Sequence, residues 1–214
     1  MATTTIKVII VDDHSILREG LKQILSETKD IEVIGEGKNA ADAVKLATKH
    51  EVGVMLLDIS LPDRNGIEAL KQIKKINSRI AVLMLSMYRE DQYAVRSFKA
   101  GALGYLSKQK ASAELVDAIR AVAKGKRYIT PEVAQVLADQ IGIDDEKPVH
   151  ELLSDREFQT MTLIASGLTV GDIAEKLSLS VKTISMYRTR VLEKMNLRHN
   201  AELMHYAIKN KIVE

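Results

Sequence analysis

Residues 54–66 read VMLLDISLPDRNG. Four apolar residues run without a polar interruption, a carboxylate follows at Asp58, and Pro62 and Gly66 then mark a turn. A strand with one wet face alternates apolar and polar residues, whereas a strand buried on both faces reads as a continuous apolar run. Beyond the turn, Ile67, Leu70 and Ile73 recur at helical spacing. The same grammar extends in both directions. Apolar runs at 6–11, 31–35, 80–85 and 102–106 are each followed by a helical pattern. These patterns rest on Ile16, Leu17, Leu21, Ile24 and Leu25, on Ala40, Ala43, Val44 and Ala47, on Ala94, Val95 and Phe98, and on Leu115, Ile119 and Val122. Five strand–helix repeats predict an α/β fold over residues 1–125, a doubly wound five-stranded parallel sheet covered by helices on both faces. The working site of such a sheet lies at the carboxyl ends of its strands.

Composition narrows the function classes. With 4% aromatic residues and no Trp, the cores must be built from aliphatic side chains, which disfavours an aromatic-lined ligand pocket. The absence of Cys excludes disulfides, thiolate metal sites and a Cys nucleophile. The opening MATTTIKVIIVDD has too short an apolar run for a secretory signal, and the longest apolar runs are strand-sized. A soluble, cytoplasmic protein that does not enter a membrane is expected. The net charge of +2 is uninformative until it is divided by region. Residues 139–151 carry Asp139, Asp144, Asp145, Glu146 and Glu151 against Lys147, whereas residues 182–198 carry Lys182, Arg188, Arg190, Lys194 and Arg198 against Glu193. An acidic connector ahead of a basic helix is compatible with an anion-binding end piece.

After Gly125 the strand signals stop. Thr130-Pro131 opens a short helix ending near Gly142, and the polar, acidic stretch from there to Glu151 contains Pro148. Residues 126–151 therefore read as a linker with a short helix. From Ser154 onward only helices are predicted, so residues 152–214 form an all-α module of four helices. Ser154 with Glu157 makes a capping box, Thr169 with Asp172 a similar start, and Ser180 an N-cap for a helix running to about Met195. A fourth helix follows over about 200–209.

The chemistry sits at the predicted strand ends. Asp12 and Asp13 end the first strand, Asp58 the third and Ser86 the fourth, and Lys108 follows the fifth. Any one of these alone is ordinarily a turn or surface residue. Together they would place three carboxylates, a hydroxyl and an ammonium at one edge. Crowded carboxylates call for a hard, oxygen-preferring divalent cation, Mg²⁺. One of them is then able to attack a phosphoryl group, whose equatorial oxygens the cation and Lys108 would stabilise.

Residues 6–124 resemble a response-regulator receiver domain, a flavodoxin-like fold, through VDDH (11–14), LLDISLPDRNG (56–66), LSMY (85–88) and GYLSK (104–108). The resemblance implies that Asp58 is the phosphoacceptor and that Asp12, Asp13, Asp58 and the backbone carbonyl of Ser60 hold Mg²⁺. It implies that Ser86 bonds the phosphoryl after transfer and that Tyr105 changes rotamer with it. A plain strand-edge aromatic is the other reading of Tyr105. Ser60 and Tyr88 sit where such proteins tune phosphoryl lifetime. His14 receives no role, as a helix cap or an exposed side chain. One feature departs from the pattern: receivers usually place a cis Pro after the Lys, and here Gln109 stands there. A cis bond without Pro costs roughly 2.5–4 kcal/mol, so this peptide is expected to be trans or strained.

The joint Leu177-Ser178-Leu179-Ser180 separates two capped helices at the spacing of a helix-turn-helix. On the second helix, Ile184, Tyr187, Val191 and Met195 share an inward face. Lys182, Ser185, Met186 and Thr189 share the opposite one. Candidate DNA contacts are Lys182, Thr183, Ser185, Met186, Arg188, Thr189 and Arg190, with Lys182, Arg188 and Arg190 on phosphates and Ser185, Met186 and Thr189 on base edges. Residues 152–213 resemble the LuxR-type helix-turn-helix of the NarL/FixJ group, and GKRYITPEVA (125–134) and KTISMYRTR (182–190) look closest to regulators of the GacA/UvrY kind. Val170-Gly171-Asp172, Ser185 and Tyr187 depart from the commonest residues of that group.

The resemblance implies a transcription factor and not an enzyme. Its partners would be a sensor histidine kinase, double-stranded DNA and, when phosphorylated, a second copy of the chain. Leu203, Tyr206 and Ala207 of the last helix are either the dimer contact or intramodule core. Two other classes stay open from the residues alone. One is a metal-dependent phosphatase or phosphotransferase using Asp58 on a small substrate, which would need a cap and a general acid. The other is a ligand-sensing or phosphorylation-independent regulator.

Overall fold

A computed structural model describes residues 5–49, 51–87, 90–109, 111–141, 148–210 and 212–213. The chain divides into two compact units, Met1–Ala138 and Asp139–Glu214. In the first, strands β1 (Ile6–Val11), β2 (Ile31–Gly37), β3 (Val54–Asp58), β4 (Ala81–Ser86) and β5 (Gly104–Ser107) alternate with helices α1 (Ser15–Ser26), α2 (Ala40–Lys49), α3 (Gly66–Ile76), α4 (Glu90–Lys99) and α5 (Ala111–Ala123). Every neighbouring pair is parallel, in the order β2-β1-β3-β4-β5. The chain steps outward from β1 to β2 and then crosses back to β3, so the winding reverses between β1 and β3. A crevice opens at the carboxyl ends of strands flanking such a reversal.

The apolar runs are continuous because both faces of the sheet are covered. All residues of β3, β4 and β5 are buried. Val8, Ile10, Val54, Leu56, Leu83 and Leu85 join Leu21 and Leu25 of α1 and Leu115 and Ile119 of α5 in one core. The alternate residues Ile9, Met55, Leu57, Val82 and Met84 are equally buried. They point to the other face, where α2 packs on β1 and α3 on β3.

The segment after β3 is pinned at both ends. Ile59 N–H donates to Leu85 O at 3.2 Å, and Gly66 N–H donates to Ile59 O at 2.8 Å. Asn65 caps α3 by accepting from Ile67 N–H at 2.8 Å. A Cβ at position 66 would lie 1.9 Å from the carbonyl oxygen of Asp58, so only glycine allows the helix to start this close to the strand.

Helix α6 (Pro131–Ile141) begins on its proline, where the missing N–H is no loss. Residues through Ala138 group with the first unit, whereas the sequence reading set the whole helix in the linker. The acidic part of that linker lies outside the described residues at 142–147, as does Tyr88. The chain resumes with a single 3-10 turn, Val149–Leu152.

The second unit contains α7 (Asp155–Ala165), α8 (Val170–Lys176), α9 (Val181–Lys194) and α10 (Asn200–Lys209). Both capping boxes form, Ser154 with Glu157 and Thr169 with Asp172, and Ser180 caps α9 through Thr183 N–H. The first three of these helices stop at left-handed residues, Gly167 (φ 89), Ser178 (φ 52) and Asn196 (φ 54), the usual device for turning a chain sharply out of a helix. Phe158, Met161, Ile173, Leu177, Ile184, Val191, Met195, Leu203 and Ala207 are buried. Among the described residues no helix is long and apolar enough to cross a membrane.

Replacing Gly66 by Ala forces α3 and Asp58 apart. A loss of about 1–3 kcal/mol is expected, the usual penalty for overpacking, read as a lower urea midpoint of the first unit.

Candidate functional site

Each residue of the predicted acidic cluster lies on or just after a strand of the first unit. Asp12 follows β1 and is fully buried, with its backbone N–H on Gly37 O at 3.1 Å. Asp58 is the last residue of β3, paired in register with Leu85, and is 1% exposed. Lys108 follows β5, and its backbone N–H donates to Ser86 O at 2.8 Å. Ser86 closes β4 opposite Ser107. Neighbouring parallel strands ending at the same level bring these side chains together.

The Lys108 ammonium lies 2.6 Å from Asp12 Oδ2 and 3.1 Å from Asp58 Oδ2. It bridges two buried carboxylates as an ion pair, yet Asp12 Oδ2 and both oxygens of Asp58 lack a fully aligned hydrogen-bond donor. One ammonium against two carboxylates leaves an excess of negative charge in a site closed to water. Burial therefore dominates Asp58 and pushes its pKa from 3.8 up to about 6; Lys108 opposes the rise, Asp12 reinforces it, and the Ser60 backbone N–H opposes it weakly. For Lys108, burial favours the neutral amine, but Asp58 and Asp12 together outweigh it and raise the pKa.

Asp13 is exposed at the rim, with 33% of its side chain accessible. His14 stands at the N-cap position of α1 but makes no side-chain cap; its ring turns instead to Asp12 and Asp13. One ligand atom each from Asp12, Asp13, His14 and Asp58 lie within 4.8 Å of one another. Ser60 sits in the segment after β3, partly buried. Tyr105 is fully buried on β5, in register with Met84. The Lys108–Gln109 peptide is trans.

Two supports escaped the sequence reading. Arg18 of α1 donates from Nη1 to the backbone carbonyl of Asp12 at 2.7 Å and from Nε to Glu36 at 3.3 Å, tying the end of β1 to β2. Asp63, in the segment after Asp58, accepts from the N–H groups of Ala40 and Ala41 at 2.8 and 3.0 Å and so caps α2 from another loop. Arg18 lies one helical turn from His14, and that spacing was a usable signal. Nothing near Asp63 in the chain names a partner 23 residues away.

In the second unit, the outward face of α9 carries Lys182, Ser185, Met186, Thr189 and Arg190, all exposed, with Thr183 and Arg188 partly buried. Ile184, Val191 and Met195 face inward and Tyr187 is partly buried. Arg188 Nε donates to Asn200 Oδ1 of α10 at 2.6 Å, so its guanidinium already has work inside the module. Thr189 Oγ1 donates to Ser185 O at 3.0 Å. On α10, Leu203 and Ala207 are buried, α10 packs on α7, and Tyr206 OH lies 2.9 Å from His150 Nδ1. That stripe is core of the module, and Met204 and Ile208 take the exposed side.

The raised pKa of Asp58 has a thermodynamic consequence. Its folded value of about 6 exceeds the ordinary 3.8, so ionisation opposes folding: the cost is absent below about pH 4 and grows as pH rises through 6. In metal-free buffer with a chelator, Asp58→Asn is expected to be more stable than the parent at pH 7.5 by on the order of 2 kcal/mol. The gap should close as pH falls from 7 to 4, and a gap that does not vary with pH would contradict this account.

Residues 8–120 match the family described as "Response regulator receiver domain", and residues 151–207 match "Bacterial regulatory proteins, luxR family". The response regulator UvrY of Escherichia coli K12 is 40% identical over 206 residues, spanning 96% of this chain and 94% of that protein. The response regulator GacA of Pseudomonas aeruginosa is 35% identical over 210 residues, spanning 98% of each. Among solved structures, RcsB of Salmonella enterica serovar Typhimurium, bound to promoter rprA in the presence of the phosphomimetic BeF3⁻, aligns with a TM-score of 0.63 at 25% identity, covering 95% of this chain and 98% of that one. With matches to both domains and relatives spanning nearly its full length, this chain belongs to the two-component response regulators that join a receiver to a LuxR-type helix-turn-helix domain.

Proposed function

We propose that Asp58 accepts a phosphoryl group from a sensor histidine kinase and that this modification controls DNA binding by the C-terminal module, and with it transcription. The observation that carries this reading is Asp58 itself: a buried carboxylate at the sheet's crevice, paired with Lys108 but without an aligned hydrogen-bond donor. An Asp58 oxygen attacks phosphorus, the bond from phosphorus to the kinase's histidine nitrogen breaks, and the electron pair leaves with the imidazole.

The donor set fits a divalent cation, since carboxylate oxygens of Asp12, Asp13 and Asp58 converge within 4.8 Å. Mg²⁺ suits all-oxygen donors, and Asp12, Asp13, Asp58 and the Ser60 carbonyl would hold it. When bound, it supplies positive charge against the oxygens of the transferring phosphoryl. Lys108, 3.1 Å from Asp58 Oδ2, would add its own charge. Ser86, at the end of the strand next to that of Asp58, would bond the phosphoryl after transfer, with Tyr105 following it. The chain receives the group on its own side chain and turns over no separate substrate.

The promoter-bound RcsB structure supports DNA binding by this chain, and the exposed polar face of α9 is the surface that would meet DNA. Lys182 and Arg190 would hold phosphates, and Ser185, Met186 and Thr189, with Thr183 at the helix start, would meet base edges. Arg188, whose Nε is held by Asn200, would reach a phosphate through its Nη groups. Phosphorylated chains would pair on DNA as a homodimer, and this role places the protein in the bacterial cytoplasm.

Acetyl phosphate with Mg²⁺ is expected to load one phosphoryl per chain, and none on Asp58→Ala. Beryllofluoride should raise DNA affinity and dimer content in the parent protein but not in that variant. Unchanged affinity and oligomeric state on adding the mimic would refute the switch. Lys182→Ala and Arg190→Ala should each weaken binding evenly across sequences and lower the salt slope of log K by about 1, whereas Met186→Ala should alter sequence preference.

A further inference from the structure

His14 is placed unlike a helix cap. It occupies the N-cap position of α1, yet its ring accepts nothing from the helix. Its backbone N–H donates to Asp12 Oδ1 at 2.9 Å, which holds the residue against the end of β1. From there the ring folds back over the acidic site, with Nδ1 2.7 Å from Asp13 Oδ1 and 3.1 Å from Asp12 Oδ1. Its side chain is 63% exposed, and Nδ1 is the ring atom turned to both carboxylates.

The cluster is more than three acids. A nitrogen from His14 joins one oxygen each from Asp12, Asp13 and Asp58, with all four atoms within 4.8 Å of one another. Donors at about 2.0–2.3 Å from one ion stand at most about 4.6 Å apart, so small side-chain adjustments suffice to close a shell. A second observation points into the same space. Asp58 is 1% exposed, and the one ammonium beside it, Lys108 at 3.1 Å, is shared with Asp12, so the buried carboxylates keep an uncompensated negative charge.

We infer that the cation site of this chain is a mixed oxygen–nitrogen centre, in which His14 Nδ1 gives up to solvent the proton it shares with the carboxylates and ligates a first-row transition ion that they also hold. The inference rests on the cation site proposed above and specifies which ions it favours. Mg²⁺ keeps to oxygen and water and gains little from an imidazole. Mn²⁺, Co²⁺, Ni²⁺ and Zn²⁺ accept imidazole nitrogen readily, with affinities that rise along that series up to copper before falling at zinc. His14 therefore biases the site toward these ions without impairing its use of Mg²⁺.

The test uses the full chain and Mn²⁺ as the probe. Electron paramagnetic resonance counts the bound ion, and electron spin echo envelope modulation reads any directly bonded nitrogen. The expected result is one Mn²⁺ per chain with a nitrogen modulation that disappears in His14→Ala. In parallel titrations, His14→Ala should weaken Co²⁺ binding by about tenfold or more and change Mg²⁺ binding by less than about twofold. Stoichiometric Mn²⁺ lost in Asp58→Ala but carrying no nitrogen modulation overturns the role of His14 and leaves the carboxylate site standing. Modulation that persists in His14→Ala overturns it as well. Failure to bind Mn²⁺ stoichiometrically, or binding indifferent to Asp58→Ala, overturns the carboxylate site and the inference together.

Discussion

Two buried carboxylates share one buried ammonium at the crevice of the sheet, and the first unit is organised around that imbalance. Asp12 and Asp58 are removed from water by the strands that carry them, and Lys108 reaches both within 3.1 Å. Removing charges from water is costly, and pairing offsets the cost only where the geometry is good. Here a single cation serves two anions, so the site keeps an appetite for positive charge. The raised Asp58 pKa is the protein's partial answer, and a divalent cation would be a fuller one.

This arrangement depends on topology at every point. Strands β1 and β3 are neighbours across the reversal of winding, so their terminal acids meet although 46 positions separate Asp12 from Asp58 in the chain. The supports around the site are equally non-local. Arg18 holds the carbonyl of Asp12 from α1, Asp63 holds the start of α2 from the segment after Asp58, and Gly66 lets α3 begin against the back of Asp58. The segment that receives the phosphoryl in the proposed reading is thus tied to α2 through the Asp63 carboxylate and to α3 through the Gly66 N–H bond to Ile59 O.

The second unit follows a simpler logic. Its helices are short, and each is defined by its ends: capping residues where α7, α8 and α9 start, left-handed residues where they stop. Short helices gain little from propensity alone, and tertiary packing and caps stabilise them. Keeping Ile184, Val191 and Met195 inward leaves the opposite face of α9 free of structural duty. Arg188 is the exception, because Asn200 holds it.

The sequence by itself determined the elements and their chemistry. Period and run length separated strands from helices, and capping pairs marked helix starts to within a residue, because these signals are local and each residue carries its own part. The acids, the hydroxyl and the lysine were legible as strand-end residues for the same reason. Tertiary structure alone decided which oxygens Lys108 bridges, that His14 faces the acids and not its helix, that Asp63 caps α2, and that Leu203 and Ala207 are core. Apart from the turn of His14 onto its neighbours Asp12 and Asp13, these are contacts between side chains or loops distant in sequence, and the energy of each depends on burial and angle. Neither burial nor angle exists until the strands are in register.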